Sequence, residues 1–202
     1  MSLTFYYGSG SPYAWRVWLA LEHKRIPYEL QVLSFSAGDL KKPEYLAVNP
    51  RHRVPAIVDD GFALYESAAI LEYLDERHGG EPRLFPGDVR QRALARRMVR
   101  EADQYFAEAL EVLVDNILFT PQEQWAEAPI AKARAALREE LALWETLIAG
   151  DYLAGGVKGE QLPGQLADGA AHACLGASPL LAAQAGEAGG MVAWPHVAAH
   201  PV

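Results

Sequence analysis

Residues 79–88, GGEPRLFPGD, divide the chain into two stretches whose hydrophobic patterns belong to different architectures. Half of this decapeptide is glycine or proline, a composition that ends regular structure. Upstream, short apolar runs switch between the two-residue period of a strand and the longer period of a helix; downstream, the helical period dominates. The pattern predicts a mixed α/β unit over 1–78, a linker over 79–88 and an all-α helical bundle over 89–202, of which 155–202 is atypical.

Within the first unit, LTFYY (3–7) is rich in β-formers, and Ser11-Pro12 then supplies a helix cap followed by proline at the first helical position. Trp15, Val17, Trp18, Leu19 and Leu21 carry that helix towards Lys24. YELQVL (28–33) alternates like a half-buried strand, and LKKPEYLAVNP (40–50) fits a short irregular helix. VPAIVDDGFALYES reads as two strands joined at Asp60-Gly61, followed by the helix SAAILEYLDERH. The expected order is βαβαββα. Beyond the linker, 89–119 predicts one long helix and 129–150 another. Nine of the 17 glycines fall between Gly155 and Gly190. Each costs a helix about 1 kcal/mol relative to alanine, so this tail is expected to pack loosely, with only LADGAAHACL and MVAWPHVAAH helical.

Composition excludes several function classes. A formal charge of −8 argues against a nucleic-acid partner, which needs a basic face. No run approaches the roughly 20 apolar residues that span a bilayer, and MSLTFYYGSG lacks the features of a signal peptide. The expectation is a soluble cytoplasmic protein with no membrane partner. The single Cys174 excludes an internal disulfide and a multi-thiolate metal site. It reads as a buried small hydrophobe. His196 and His200 have the spacing of two ligands on one helix face, but no carboxylate accompanies them, and no metal is expected.

The segment GSGSPYAWRVWLAL carries the chemistry. Gly8 and Gly10 stand between a strand and a helix as in a dinucleotide fingerprint, but Tyr13 fills the third glycine position and Pro12 lacks an N–H where phosphate needs donors. Ser11 is sufficient as a helix cap. A helix N-terminus also offers free N–H groups and partial positive charge, so an anion beside Ser11 is favoured by dipole and hydroxyl together. A second helix N-terminus lies at Glu66-Ser67, and the basic run Arg51-His52-Arg53 precedes Val54-Pro55. Brought together, these would make a site for a small ligand with two carboxylates and an ammonium.

SPYAWRVWLAL, NPRHRVPAIVDD and LYESAAILEYLDE, in that order and followed by a helical half, closely resemble the cytosolic glutathione transferase family over about residues 3–155. The resemblance implies a thioredoxin-like N-terminal domain joined to an all-α C-terminal domain, a homodimer, and glutathione as co-substrate with no other cofactor. It makes Ser11 the thiol-activating hydroxyl of a serine-type, bacterial-like member, with Tyr6 and Ser9 as the other candidate hydroxyls. It further implies that Val54 binds the cysteinyl backbone, that Pro55 is cis, and that Glu66 and Ser67 hold the γ-glutamyl end. Arg53, with His52 a weaker candidate, would face the glycyl carboxylate. Tyr13, Phe35 and Tyr105 are the candidate lining of a hydrophobic pocket in which the thiolate would attack a small hydrophobic electrophile or a peroxide, a chemistry suited to detoxification.

Two other functions stay open at this point. One is a catalytically silent glutathione-binding or protein-interaction module of the same fold. The other is a glutathione-dependent isomerase of the maleylacetoacetate isomerase type, which the WRV register resembles although SPY stands where that branch has SSC. Arg90, Arg92, Arg96, Arg97 and Arg100 open the long helix, and Glu101, Asp103, Glu108, Glu111 and Asp115 follow, an order that opposes the macrodipole. This implies either a solvated face with internal pairs such as Arg97 and Glu101, or a two-fold dimer that pairs basic and acidic ends, which sedimentation tests. Residues 157–190 depart from the family pattern: Asp168 is present but Gln165 stands at the capping position. A diverged or frame-altered segment is expected there.

Overall fold

The computed structural model describes residues 2–80, 82–85 and 87–147. Expectations about Cys174, His196, His200 and the segment from 155 onward lie outside the described residues.

Among the described residues, four strands form one sheet in the order β2-β1-β3-β4. β1 (Leu3–Tyr7) runs parallel to β2 (Glu29–Val32) and antiparallel to β3 (Ala56–Asp59), which pairs antiparallel with β4 (Phe62–Tyr65). The β3–β4 turn places Asp60 at φ 47° and Gly61 at φ 89°, the two positive φ values that a tight hairpin of this hand requires. α1 (Pro12–Lys24) and α3 (Ser67–Arg77) pack together. Leu3, Phe5, Ala14, Val17, Leu21, Ile57, Ile70 and Leu74 close the core between sheet and helices. A 3-10 turn at Asp39–Lys41 and the four-residue α2 (Pro43–Leu46) form the irregular helix between β2 and β3.

β2 corrects the reading of a half-buried strand: all four of its residues are exposed. Among the described residues it is an edge strand paired only with β1, so alternation in its sequence does not translate into a buried face.

The irregular connector after α3 is fastened from below. Lys24 Nζ donates to the carbonyls of Gly80 (3.3 Å) and Pro82 (2.9 Å) and pairs with Asp75 at 3.1 Å. Asp75 in turn accepts from the N–H groups of Leu84 (2.8 Å) and Phe85 (3.3 Å). Phe85 thereby fills a cluster with Ala20 of α1 and Leu71 of α3, against which Ala95 and Val99 pack. A capping box between Asp88 and Gln91 then starts the next helix.

The long helix expected over 89–119 is present but not uniform. It consists of α4 (Val89–Glu101), a π-helical turn (Ala102–Phe106) and α5 (Ala107–Leu118). α6 (Glu127–Leu147) returns along it, burying Met98, Ala102, Phe106 and Trp144 in one cluster and Ala109, Leu113, Ile130 and Ala133 in another. The internal pair Arg97–Glu101 forms at 3.3 Å, and Arg96 reaches Glu72 of α3 at 2.9 Å.

Near the C-terminal ends of α1 and α3, His23 Nε2 and His78 Nε2 are buried and have no hydrogen-bond partner among the described residues. Burial first, and then Lys24 and Arg25, hold His23 below its ordinary pKa; burial also lowers His78, with Arg77 and Lys24 adding to the effect and Asp59 opposing it. Both rings therefore bind protons less readily folded than unfolded. As pH falls through about 6.5 the unfolded chain takes up protons first, stability declines, and the loss levels off once the folded pKa values are passed. Between pH 7.5 and 5.5 we expect the melting temperature to drop by about 2–4 °C per kcal/mol lost. The drop should be smaller in His23→Gln/His78→Gln, and an equal drop in both proteins, followed by circular dichroism, contradicts the assignment.

Candidate functional site

Strand register decides which segments meet. Tyr6 lies opposite Ala56, Ala56 opposite Tyr65, and Tyr7 opposite Val32. The chain after β1, the loop before β3, the turn after β4 and the loop after β2 therefore all leave the same end of the sheet. Those segments carry Gly8–Ser11, His52–Pro55, Glu66–Ser67 and Phe35. The N-termini of α1 and α3 lie at this end as well, so the site receives two positive helix ends.

Ser11 is the N-cap of α1, its Oγ accepting from the Ala14 N–H at 3.2 Å, with Pro12 at the first helical position. That bond uses a lone pair and leaves the hydroxyl proton available to a ligand atom. Gly8 is required by contact: a Cβ there would lie 2.7 Å from Phe35 Cζ and 2.9 Å from Val54 Cγ2. The first glycine of the segment thus lets the Phe35 ring and Val54 close onto the backbone three residues before Ser11. Gly10, at φ 89°, turns the chain into the helix.

The Val54–Pro55 peptide is cis, and both residues are buried. Its approach is held by Asn49, 2 % exposed, whose Nδ2 donates to the Arg53 carbonyl at 2.7 Å and whose Oδ1 accepts from the Arg51 N–H at 3.0 Å. The Tyr45 hydroxyl donates to the same carbonyl, and burial pushes its pKa up to about 12. With the backbone so pinned, the side chains of Arg51, His52 and Arg53 remain exposed, and His52 takes φ 47°.

Glu66 precedes α3 at φ 73°, ψ 106°, a conformation that costs a non-glycine residue energy and that clusters at functional sites. Its side chain is exposed, whereas Ser67 is 6 % exposed. Ser67 Oγ accepts from Arg16 Nη1 at 3.2 Å, so its own proton is directed away from the guanidinium. Arg16, 9 % exposed, also reaches Asp103 Oδ1 at 2.8 Å, off the N–H axis, as an ion pair without an aligned hydrogen bond. Asp103 sits in the π-helical turn. The arginine therefore links the N-terminus of α3 to the helical half.

Arg16 and Asp103 were missed as site residues. A signal existed: Arg16 lies on the face of α1 that buries Ala14, Val17, Ala20 and Leu21, and a charge on such a face must have partners.

A cleft opens between the start of α1 and the α4–α5 helix, lined by Pro12, Tyr13, Arg16, Leu110, Glu111 and Asp115 among others. Tyr13 donates to Glu111 Oε1 at 3.4 Å; burial, then Glu111 and Asp103, raise its pKa to about 12. It stays protonated at neutral pH. Phe35 stands apart from this wall, edge-on to Phe119 with ring centres 5.7 Å apart. Tyr105 is 59 % exposed and does not line the cleft. Of the other two hydroxyls, Tyr6 packs against Tyr45 with ring centres 5.4 Å apart, and Ser9 is exposed in the turn.

Comparison with known proteins agrees with this geometry. The family model described as "Glutathione S-transferase, N-terminal domain" matches residues 10–77. The chain is 34 % identical over 149 residues to the probable maleylacetoacetate isomerase 2 of Drosophila melanogaster, a match covering 70 % of this chain and 62 % of that protein. It thus spans somewhat under two thirds of that relative's length. The glutathione S-transferase of the Antarctic clam Laternula elliptica is 30 % identical, with a TM-score of 0.64 over 77 % of this chain and 70 % of that one. Poplar glutathione transferase F1 is 29 % identical, with a TM-score of 0.73 over 86 % and 79 % of the two chains. The mixed four-stranded sheet with its helices, followed by a helical region, is the fold in which this chain matches those structures, and the chain belongs to the cytosolic glutathione transferase family.

Proposed function

We propose that this protein is a serine-type glutathione transferase, cytoplasmic and homodimeric. The observation that carries the reading is Ser11 Oγ capping α1 as an acceptor, with no acceptor for its own proton among the described residues, at the sheet end where the cis-Pro loop and the α3 N-terminus converge. Glutathione would lie across that end. Val54 would take the cysteinyl backbone, Ser67 and the α3 N-terminus the γ-glutamyl carboxylate, Glu66 the γ-glutamyl ammonium, and Arg53 and His52 the glycyl carboxylate.

The chemistry is pKa control. A free thiol ionises near 8.5 and only its thiolate is a strong nucleophile. Ser11 donates a hydrogen bond to sulfur, and the helix end adds favourable potential, so the thiolate is stabilised by about 1.4 kcal/mol for each pKa unit. The hydroxyl need not ionise. The thiolate then attacks an electrophilic carbon, the C–S bond forms, the leaving group departs with its electron pair, and the thiol proton has gone to solvent.

Isomerisation is the second reading, favoured by the similarity to the Drosophila isomerase. There the thiolate would add to a cis double bond and be expelled after rotation, so glutathione would not be consumed. The substrate named for that relative is a dicarboxylate.

Calorimetric titration with glutathione, read in parallel with the ultraviolet absorbance of the thiolate at pH 6.5, tests the proposal. Wild type is expected to bind and show the thiolate. In Ser11→Ala the signal should vanish at this pH, because the bound thiol returns towards its ordinary value of about 8.5. Binding with no thiolate in the wild type points instead to a catalytically silent module.

A further inference from the structure

The cleft beside Ser11 is not a uniformly apolar pocket. Pro12, Leu110 and Val114 give it greasy walls, but Glu111 and Asp115 enter from one face of α5, one helical turn apart. Among the described residues Arg16 is the cation that lines it, and its guanidinium is engaged with Ser67 and Asp103. The Tyr13 hydroxyl points its proton at Glu111. Among the described residues, the polar side chains left facing a ligand are therefore carboxylate acceptors. The high pKa of Tyr13, raised partly by Glu111 and Asp103, reports the same negative potential.

We propose that this cleft selects apolar electrophiles carrying a positive charge or a hydrogen-bond donor, and disfavours electrophiles that carry carboxylates. The inference rests on the transferase reading and deepens it by naming the substrate class. A cationic substituent placed on an aromatic or alkyl body buries the body against Pro12 and Leu110 and sets its charge beside Glu111 and Asp115. A carboxylate in the same place adds a third negative charge to two. Both acids are exposed, so screening keeps the effect modest. It also weighs against the isomerase reading, whose substrate must seat two carboxylates.

The test uses benzyl chlorides with para-trimethylammonium and para-carboxylate substituents, kcat/KM with glutathione being divided by the uncatalysed rate for each. At low salt the cation should be favoured by about tenfold, falling as ionic strength rises. In Glu111→Gln/Asp115→Asn the cation-to-anion ratio, taken within the variant, should fall to about two or less. A wild-type ratio near one, a preference for the carboxylate, or a ratio unchanged in the variant overturns the proposal. Absence of turnover with an uncharged benzyl chloride would instead count against the transferase reading. The cleft would still be tested by calorimetric binding of 4-tert-butylbenzyltrimethylammonium against 4-tert-butylbenzoate. Tighter binding of the cation, lost in the variant, supports the proposal; equal binding, or binding of neither, overturns it.

Discussion

Asp75→Leu is expected to lower the free energy of unfolding by about 4 kcal/mol, within the range for breaking one partner out of a buried ion pair. Asp75 is 5 % exposed and the Lys24 side chain 2 % exposed, so the substitution strands an ammonium in the interior. It also removes the acceptor of the Leu84 and Phe85 N–H groups, the bonds that seat Phe85 among Ala20 and Leu71. Lys24 keeps its bonds to the Gly80 and Pro82 carbonyls, which prevents the loss from being larger. Lys24→Met should cost less, because the carboxylate it exposes retains two backbone donors. In Lys24→Met/Asp75→Leu no buried charge is left unpaired, since Arg83, 4.0 Å from Asp75, has a side chain 40 % exposed to water, and the combined loss should be smaller than the sum of the two single losses. Urea unfolding followed by tryptophan fluorescence reads all three. A loss below about 1 kcal/mol for Asp75→Leu contradicts the role given to the pair.

That pair explains why the connector is structurally more than its sequence suggests. Its glycines and prolines correctly mark the end of regular structure, yet its conformation is set by Lys24 and Asp75, distant from it or from each other along the chain. No local pattern announces such a bond. The same division runs through the whole fold. Features fixed by neighbours in sequence were legible: the Ser11 cap with Pro12, the Asp60-Gly61 hairpin, the bounds of β1 and α1, and the βαβαββα order. Features fixed by tertiary partners were not. β2 alternates correctly but lies at an edge, so its periodicity describes no buried face. The π-helical turn at Ala102–Phe106 interrupts a stretch whose apolar spacing is ordinary helix. The site divides likewise. Ser11, Val54, Glu66 and Ser67 came into view through motifs, and strand register then explains why those motifs share one end of the sheet. Arg16 and Asp103, 87 positions apart, have no motif.

Arg16→Met gives the second large effect, a loss of about 3 kcal/mol in stability together with weaker glutathione binding. Methionine fills much of the volume, so the loss measures charge and hydrogen bonding rather than a cavity. Asp103, with its side chain 22 % exposed, is left without the cation 2.8 Å away, and Ser67 Oγ loses the donor at 3.2 Å. Arg16→Lys keeps the charge but not the fork: a single ammonium cannot donate to Ser67 and face Asp103 in the same geometry, so partial loss is expected. Arg16→Met/Asp103→Leu separates the two roles. Replacing both charges with apolar groups is often neutral for stability, and most of the unfolding free energy should return. Glutathione affinity should not return, because Ser67 still lacks the guanidinium that turns its proton outward and the α3 N-terminus lacks the nearby positive charge. Urea unfolding and glutathione calorimetry on the same preparations distinguish the outcomes. Recovery of both quantities in the double variant makes Arg16 a structural residue alone; recovery of stability without affinity makes it the residue that positions Ser67 for the ligand and ties that position to the helical half.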